Sequence, residues 1–149
     1  MPVLERAASA NLAEARRLAK LPPLDYPRNV HNELLVRARA MQNRVLCLVT
    51  AFLRTGETRF RDAVVRCVDE MGGWRYWSWI TMREGDDRPD AIFDLSYGEN
   101  CATLALAYDL LFHELTDHER KGFRDVAMRW GIEPGRVHCR PGGAWWFGK

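Results

Sequence analysis

The sequence predicts an all-α protein assembled from helical hairpins. Apolar residues recur at spacings of three and four along most of the chain, and Gly, Pro and Thr-Gly positions cut that pattern into helix-length pieces. A seven-residue motif also occurs twice, as Phe60-Arg-Asp-Ala-Val-Val-Arg66 and, 63 residues later, as Phe123-Arg-Asp-Val-Ala-Met-Arg129. Each copy follows an apolar helix and a short turn beginning at a Thr, which is the pattern of stacked or circularised helix pairs.

The first helix is expected over Val3 to Lys20, where Arg16, Arg17 and Lys20 complement the negative end of the helix dipole. Pro22, Pro23 and Pro27 form an extended connector. The second helix is expected from Asn29 to Arg54 with Val30, Leu34, Ala38, Met41, Val45, Leu48 and Phe52 on one face, and Thr55-Gly56 ends it. The third runs from Glu57 to Met71 behind a stripe of Phe60, Ala63, Val64, Cys67, Val68 and Met71, and Gly72-Gly73 stops it.

From Trp74 to Asp94 the pattern changes: Trp74, Tyr76, Trp77 and Trp79 crowd into six residues, followed by a charged loop from Arg83 to Asp90. Helicity resumes near Tyr97 and continues to Leu115, apolar almost all round, so this helix is expected to be central and covered on several sides. Thr116-Asp-His-Glu119 is a capping box that opens a fifth helix reaching Trp130, with Phe123, Val126, Ala127 and Trp130 as its stripe. Gly131 and Pro134 are expected to close it, and a Gly-rich aromatic tail leads to Lys149.

Composition narrows the function classes. At 149 residues the chain forms a single domain, with 1–27 as helix and connector and 28–149 as hairpins with aromatic loops. The 22 basic and 20 acidic residues leave a formal charge of +2, too little to argue for a nucleic-acid partner. The longest apolar run, Val45 to Leu53, falls short of the roughly 20 residues a spanning helix needs, so no membrane crossing is expected. The N-terminus shows no basic stretch followed by an apolar core and a small-residue cleavage site, so a signal peptide is expected to be absent from this chain or already removed. Cys47, Cys67, Cys101 and Cys139 have no paired spacing, which argues against a disulfide framework or zinc knuckle. His113 and His118 stand five apart with Thr116 between them, wrong for two ligands on one helix face, and His138-Cys139 is a lone pair; neither metal nor cofactor is expected.

Between Ile92 and Glu119 the chain reads IFDLSYGENCATLALAYDLLFHELTDHE. This resembles the N-terminal part of the α/α toroid of heparinase II/III-like polysaccharide lyases. Glu99 stands nine residues before Tyr108-Asp109, Leu115-Thr116 and Glu119 match the turn that follows, and Phe52-Leu-Arg-Thr-Gly-Glu57 with Phe60 and Ala63 resembles the preceding hairpin turn. Ser96 stands where that family often has Asp.

The resemblance covers residues 28 to 148 and implies part of an (α/α) toroid, incomplete in this chain. It implies a secreted or periplasmic protein with an acidic, uronic-acid-containing polysaccharide as partner. It also implies cleavage by β-elimination, in which a base removes the C5 proton and the C4 oxygen leaves. The Asn, His and Tyr that do this in the family fall beyond Lys149, so no catalytic residue is assigned here and the piece is expected to be inactive alone.

Candidate substrate-binding residues are Trp74, Tyr76, Trp77 and Trp79, with Trp145 and Trp146 in the tail, as stacking surfaces for sugar rings; the competing explanation of the cluster is a loop folded onto the helix ends by burying its large side chains. Asp94, Tyr97, Glu99 and Asn100 join them at the start of the central helix, where helix capping is the competing explanation. Two other readings stay open. One is a non-catalytic helical-repeat module that binds glycan or protein. The other is a fragment of an α/α-toroid glycoside hydrolase, for which Asp90, Asp94 and Glu99 are the available acids. An incomplete ring exposes the apolar flank of its last hairpin, so self-association is expected.

Overall fold

The structure, a computed structural model of the chain, describes residues 3–25, 32–78 and 94–138. Among the described residues every regular element is helical: α1 Val3–Leu18, α2 Glu33–Thr55, α3 Thr58–Gly73, α4 Leu95–Leu111, α5 Asp117–Val126 and α6 Glu133–His138. A single 3₁₀ turn, Phe112–Glu114, follows α4, and a π-helical stretch, Ala127–Ile132, joins α5 to α6. None of these helices is long and apolar enough to cross a membrane.

The core is organised around α2, which touches α1, α3 and α4. Of the stripe expected from spacing, Leu34, Ala38, Met41, Val45, Leu48 and Phe52 are all buried, while Val30 lies outside the described residues; the whole stripe of α3 from Phe60 to Met71 is buried too. Two arginines also lie in the covered face of α2. They serve connector carbonyls: Arg44 Nη1 donates to Pro22 O at 2.9 Å, and Arg37 Nη2 to Tyr76 O at 2.8 Å. A buried guanidinium is tolerated because those bonds replace the ones it loses to water.

The turn between α2 and α3 has a plain cause. Gly56 takes a left-handed conformation (φ 68°) and returns its N–H to Phe52 O at 2.7 Å, closing the carbonyl end of α2. The next turn ends at Thr116, whose hydroxyl accepts from Glu119 N at 3.3 Å while the Glu119 carboxylate accepts from Thr116 N at 2.8 Å. That is the capping box read from the sequence. The two hairpins, α2/α3 and α4/α5, stack like on like, with α4 against α2 and α5 against α3. Gly72 permits the second contact: a Cβ there would lie 2.7 Å from Val126 Cγ2.

Three expectations need correction. First, α3 runs through Gly72 and Gly73 instead of stopping before them, because Gly72 is held by its packing partner. Second, α4 is only partly covered among the described residues: Ser96, Asn100, Thr103, Leu104, Ala107 and Leu111 are buried, chiefly against α2, whereas Leu106 and Leu110 are each 42% exposed. Third, Gly131 and Pro134 do not end the fifth helix. The backbone widens to π geometry, with Glu133 N donating to Met128 O, and then resumes as α6. Widening accommodates a proline ring that cannot supply the N–H of a regular turn.

Candidate functional site

The end of the stack where α3 finishes and α4 begins gathers Trp74, Tyr76, Trp77, Asp94, Tyr97, Glu99 and Asn100. Trp79, Trp145 and Trp146 lie outside the described residues, as do Asp90 and Cys139. The hairpin turns carrying His113 and His118 sit at the other end of α4, about 25 Å away at 1.5 Å per residue.

The two described tryptophans of the cluster are committed to the fold. Trp77 is 2% exposed, donates its indole N–H to Met71 O at 2.9 Å, and stacks on Trp130 with centroids 6.0 Å apart. Trp130 in turn donates to Gly72 O at 3.1 Å. The pair therefore satisfies carbonyls in the last turn of α3, which have no intrahelical partner. Trp74 is 7% exposed and lies under the Arg37 guanidinium at 3.8 Å. Burial and ring contacts occupy the faces of Trp74 and Trp77, the arrangement expected of large side chains packed on the helix ends and not of an open stacking platform. Tyr76 remains half-buried at the rim.

The start of α4 is built from polar groups. Asp94 caps the helix, its Oδ1 accepting from Tyr97 N at 3.0 Å, and its other carboxylate oxygen accepts from the Ser78 hydroxyl. The Tyr97 hydroxyl donates to Gly131 O, a carbonyl of the π stretch. Asn100 donates to Trp77 O at 3.4 Å, while among the described residues its own Oδ1 and the hydroxyl oxygen of Ser96 are buried without a hydrogen-bond partner. Ser96 and Asn100 stand one turn apart on the same covered face of α4. Glu99 points outward and pairs with Arg39 at 3.2 Å.

Arg39 also borders a polar groove between α1 and α2, about 580 Å³, lined by Asn11, Glu14, Gln42, Asn43 and Thr50 among others. A second hollow, about 470 Å³ and apolar, lies between α4 and the α5–π segment. Burial pushes the thiols of Cys47 and Cys101 up and that of Cys67 up to about 11, so these cysteines are protonated fillers and not nucleophiles. Among the described residues no three His, Cys, Asp or Glu side chains gather to hold a metal ion.

The sequence singles out the capping residues, and names Ser96 and Trp130 only for other reasons, but Arg37 and Ser78 go unnoticed at this site. For Arg37 a signal exists, since it falls at stripe spacing between Leu34 and Met41 on α2. The Trp77–Trp130 stack joins positions 53 apart and has no local signature. No family model and no curated protein is similar enough to match the chain.

Proposed function

We propose that this chain is the N-terminal portion of an α/α-toroid lyase of the heparinase II/III-like kind, contributing glycan contacts and not the acid–base set. The observation that carries the reading is the like-on-like stack of two repeated hairpins, the arrangement from which a toroid wall is made. The segment resembling that family, residues 92–119, supplies much of the second hairpin and the capped start of α4. Substrate would lie along that end, with Tyr76 and the Arg39–Glu99 pair at the rim. Arg39 is the cation best placed for a uronate carboxylate, since its side chain is 59% exposed and borders the polar groove.

Calorimetric titration with a polyuronate, beside the same polymer with its carboxyls reduced, tests this. Binding to the acidic polymer alone, weakened several-fold by Arg39→Ala and by added salt, is the expected result. Equal binding of both polymers, or of neither, would remove the uronate reading. An accompanying rise in ultraviolet absorbance from a new conjugated double bond would show that the chain already holds a complete lyase.

A second reading, a glycan-binding helical module without chemistry of its own, draws on one specific observation. The Asp94 carboxylate and the Tyr97 hydroxyl both spend their hydrogen bonds on the fold. On that reading polyuronate binds without turnover even when the hairpin stack is lengthened. The hydrolase reading is weaker, because Asp94 caps α4 while Glu99 is ion-paired with Arg39.

A further inference from the structure

The covered face of α4 carries three buried polar side chains, Ser96, Asn100 and Thr103, at 0%, 1% and 0% exposure. Thr103 is satisfied within its own helix, its hydroxyl donating to Glu99 O at 2.7 Å, four residues back. Ser96 has no such recourse, because it is the second residue of α4 and no turn of the helix precedes it. Asn100 is half satisfied. Its Nδ2 donates to Trp77 O at 3.4 Å, and since only the amide nitrogen can donate, that bond fixes Oδ1 on the opposite side of the amide. Among the described residues Asn100 Oδ1 and Ser96 Oγ are both buried without a hydrogen-bond partner.

The two atoms are chemically complementary but do not meet. The amide oxygen only accepts, whereas a hydroxyl both donates and accepts. Residues four apart on a helix hold their Cβ atoms about 5–6 Å from each other, and two successive O···O hydrogen bonds span about 5.5 Å. One small molecule that accepts from the hydroxyl and donates to the amide oxygen matches that separation. The face is packed chiefly against α2, which favours the smallest such molecule. An internal water needs about two to four polar partners, and this pair supplies two.

We propose that Ser96 and Asn100 form a binding site for one internal water, which accepts from the Ser96 hydroxyl and donates to Asn100 Oδ1. The water completes a chain from Ser96 through Asn100 to Trp77 O, tying the first turns of α4 to the segment 74–78. That segment carries the rim residue Tyr76, so the water orients the Asn100 amide and, through it, the backbone beside the rim. The inference concerns hydration of the α4 start and not glycan chemistry, so it stands or falls separately from the lyase reading.

Two measurements on the full chain test it. Oxygen-17 magnetic relaxation dispersion counts waters held inside a protein, and its amplitude is expected to fall by one water in Ser96→Ala. The same variant is expected to lose roughly tenfold in its folding equilibrium, because a buried acceptor is left without its partner. Equal dispersion amplitudes in wild type and Ser96→Ala overturn the proposal, and so does a variant as stable as wild type. A high-resolution crystal structure of the wild-type chain tests the site even if Ser96→Ala does not fold. Density within about 3.2 Å of both Ser96 Oγ and Asn100 Oδ1 is the expected result. The lack of a shared peak, a protein donor on Asn100 Oδ1, or a direct bond between the two side chains overturns the proposal.

Discussion

Position 72 shows how a single missing methyl group sets the distance between two helices. Gly72 lies within α3, where glycine is unfavourable by roughly 0.5–1 kcal/mol relative to alanine. A Cβ there would approach Val126 Cγ2 to 2.7 Å, and the β-branched valine has little freedom to turn away. Overpacking of this kind costs typically 1–3 kcal/mol, which exceeds the helix-propensity gain. Gly72→Ala is therefore expected to lower unfolding stability in urea by about 1 kcal/mol net. Adding Val126→Ala should recover part of that loss. Gly73, with no atom within 4 Å of its would-be Cβ, is the control. Gly73→Ala is expected to be neutral or slightly stabilising, and equal losses at 72 and 73 would refute the close-approach explanation.

At the scale of elements, the hairpin turns are joined by charge. The Glu119 carboxyl is pushed up by its partial burial. Hydrogen bonds from the Thr116 N–H and hydroxyl, together with the Arg61 guanidinium, outweigh this and hold it below its ordinary value of 4.5. A carboxyl lowered on folding stabilises the native state at pH above its unfolded value, and that contribution is lost as pH falls through the lower native one. Wild-type stability should accordingly decline as pH drops below about 4.5, and Glu119→Gln should be less stable at neutral pH but flatter over that range. Arg61→Ala, which removes the donor to the Glu114 carbonyl and the cation beside Glu119, is expected to cost about 1 kcal/mol in denaturant melts. If Arg61→Ala and Glu119→Gln prove strictly additive, the two groups are not acting as a pair.

The same scale shows which elements could be read from sequence. The stripes of α2 and α3 and the Thr116–Glu119 box were legible because periodicity and capping are local properties. The continuation through Gly131 and Pro134 was not, because it depends on a widened backbone and on the Tyr97 hydroxyl arriving from α4. Tyr97→Phe removes that donor and should cost about 1 kcal/mol, the net worth of one hydrogen bond. Fluorescence of Trp130, within the same stretch, would report the loosening. At the candidate site the capping residues were legible, and burial of the aromatics stood as the competing explanation, but which rings would be covered was not. Nothing in a run of aromatics says which ring faces will be covered, and Arg37 and Trp130 come from other elements.

For the whole molecule, stability should be graded outward from α2. Regions with few buried contacts open locally at low cost, whereas a core helix exchanges its amides only when the domain unfolds. In α2 a buried series extends from Leu34 to Phe52, met by helices on several sides. In α1 the buried residues are Ala15 and Leu18, while Val3 and Leu4 are 70% and 83% exposed. Asn11 adds a polar tie to the Cys47 carbonyl at 3.4 Å, still in the later part of the helix. The first two turns of α1 thus have little to hold them beyond their own hydrogen bonds, and short helices are marginal in water. Amide hydrogen exchange should show Val45 to Val49 protected to the free energy of global unfolding, with residues 4–10 exchanging on the order of a hundredfold or more faster. If those early amides are instead protected as strongly as α2, something other than the described helices covers the exposed face of α1.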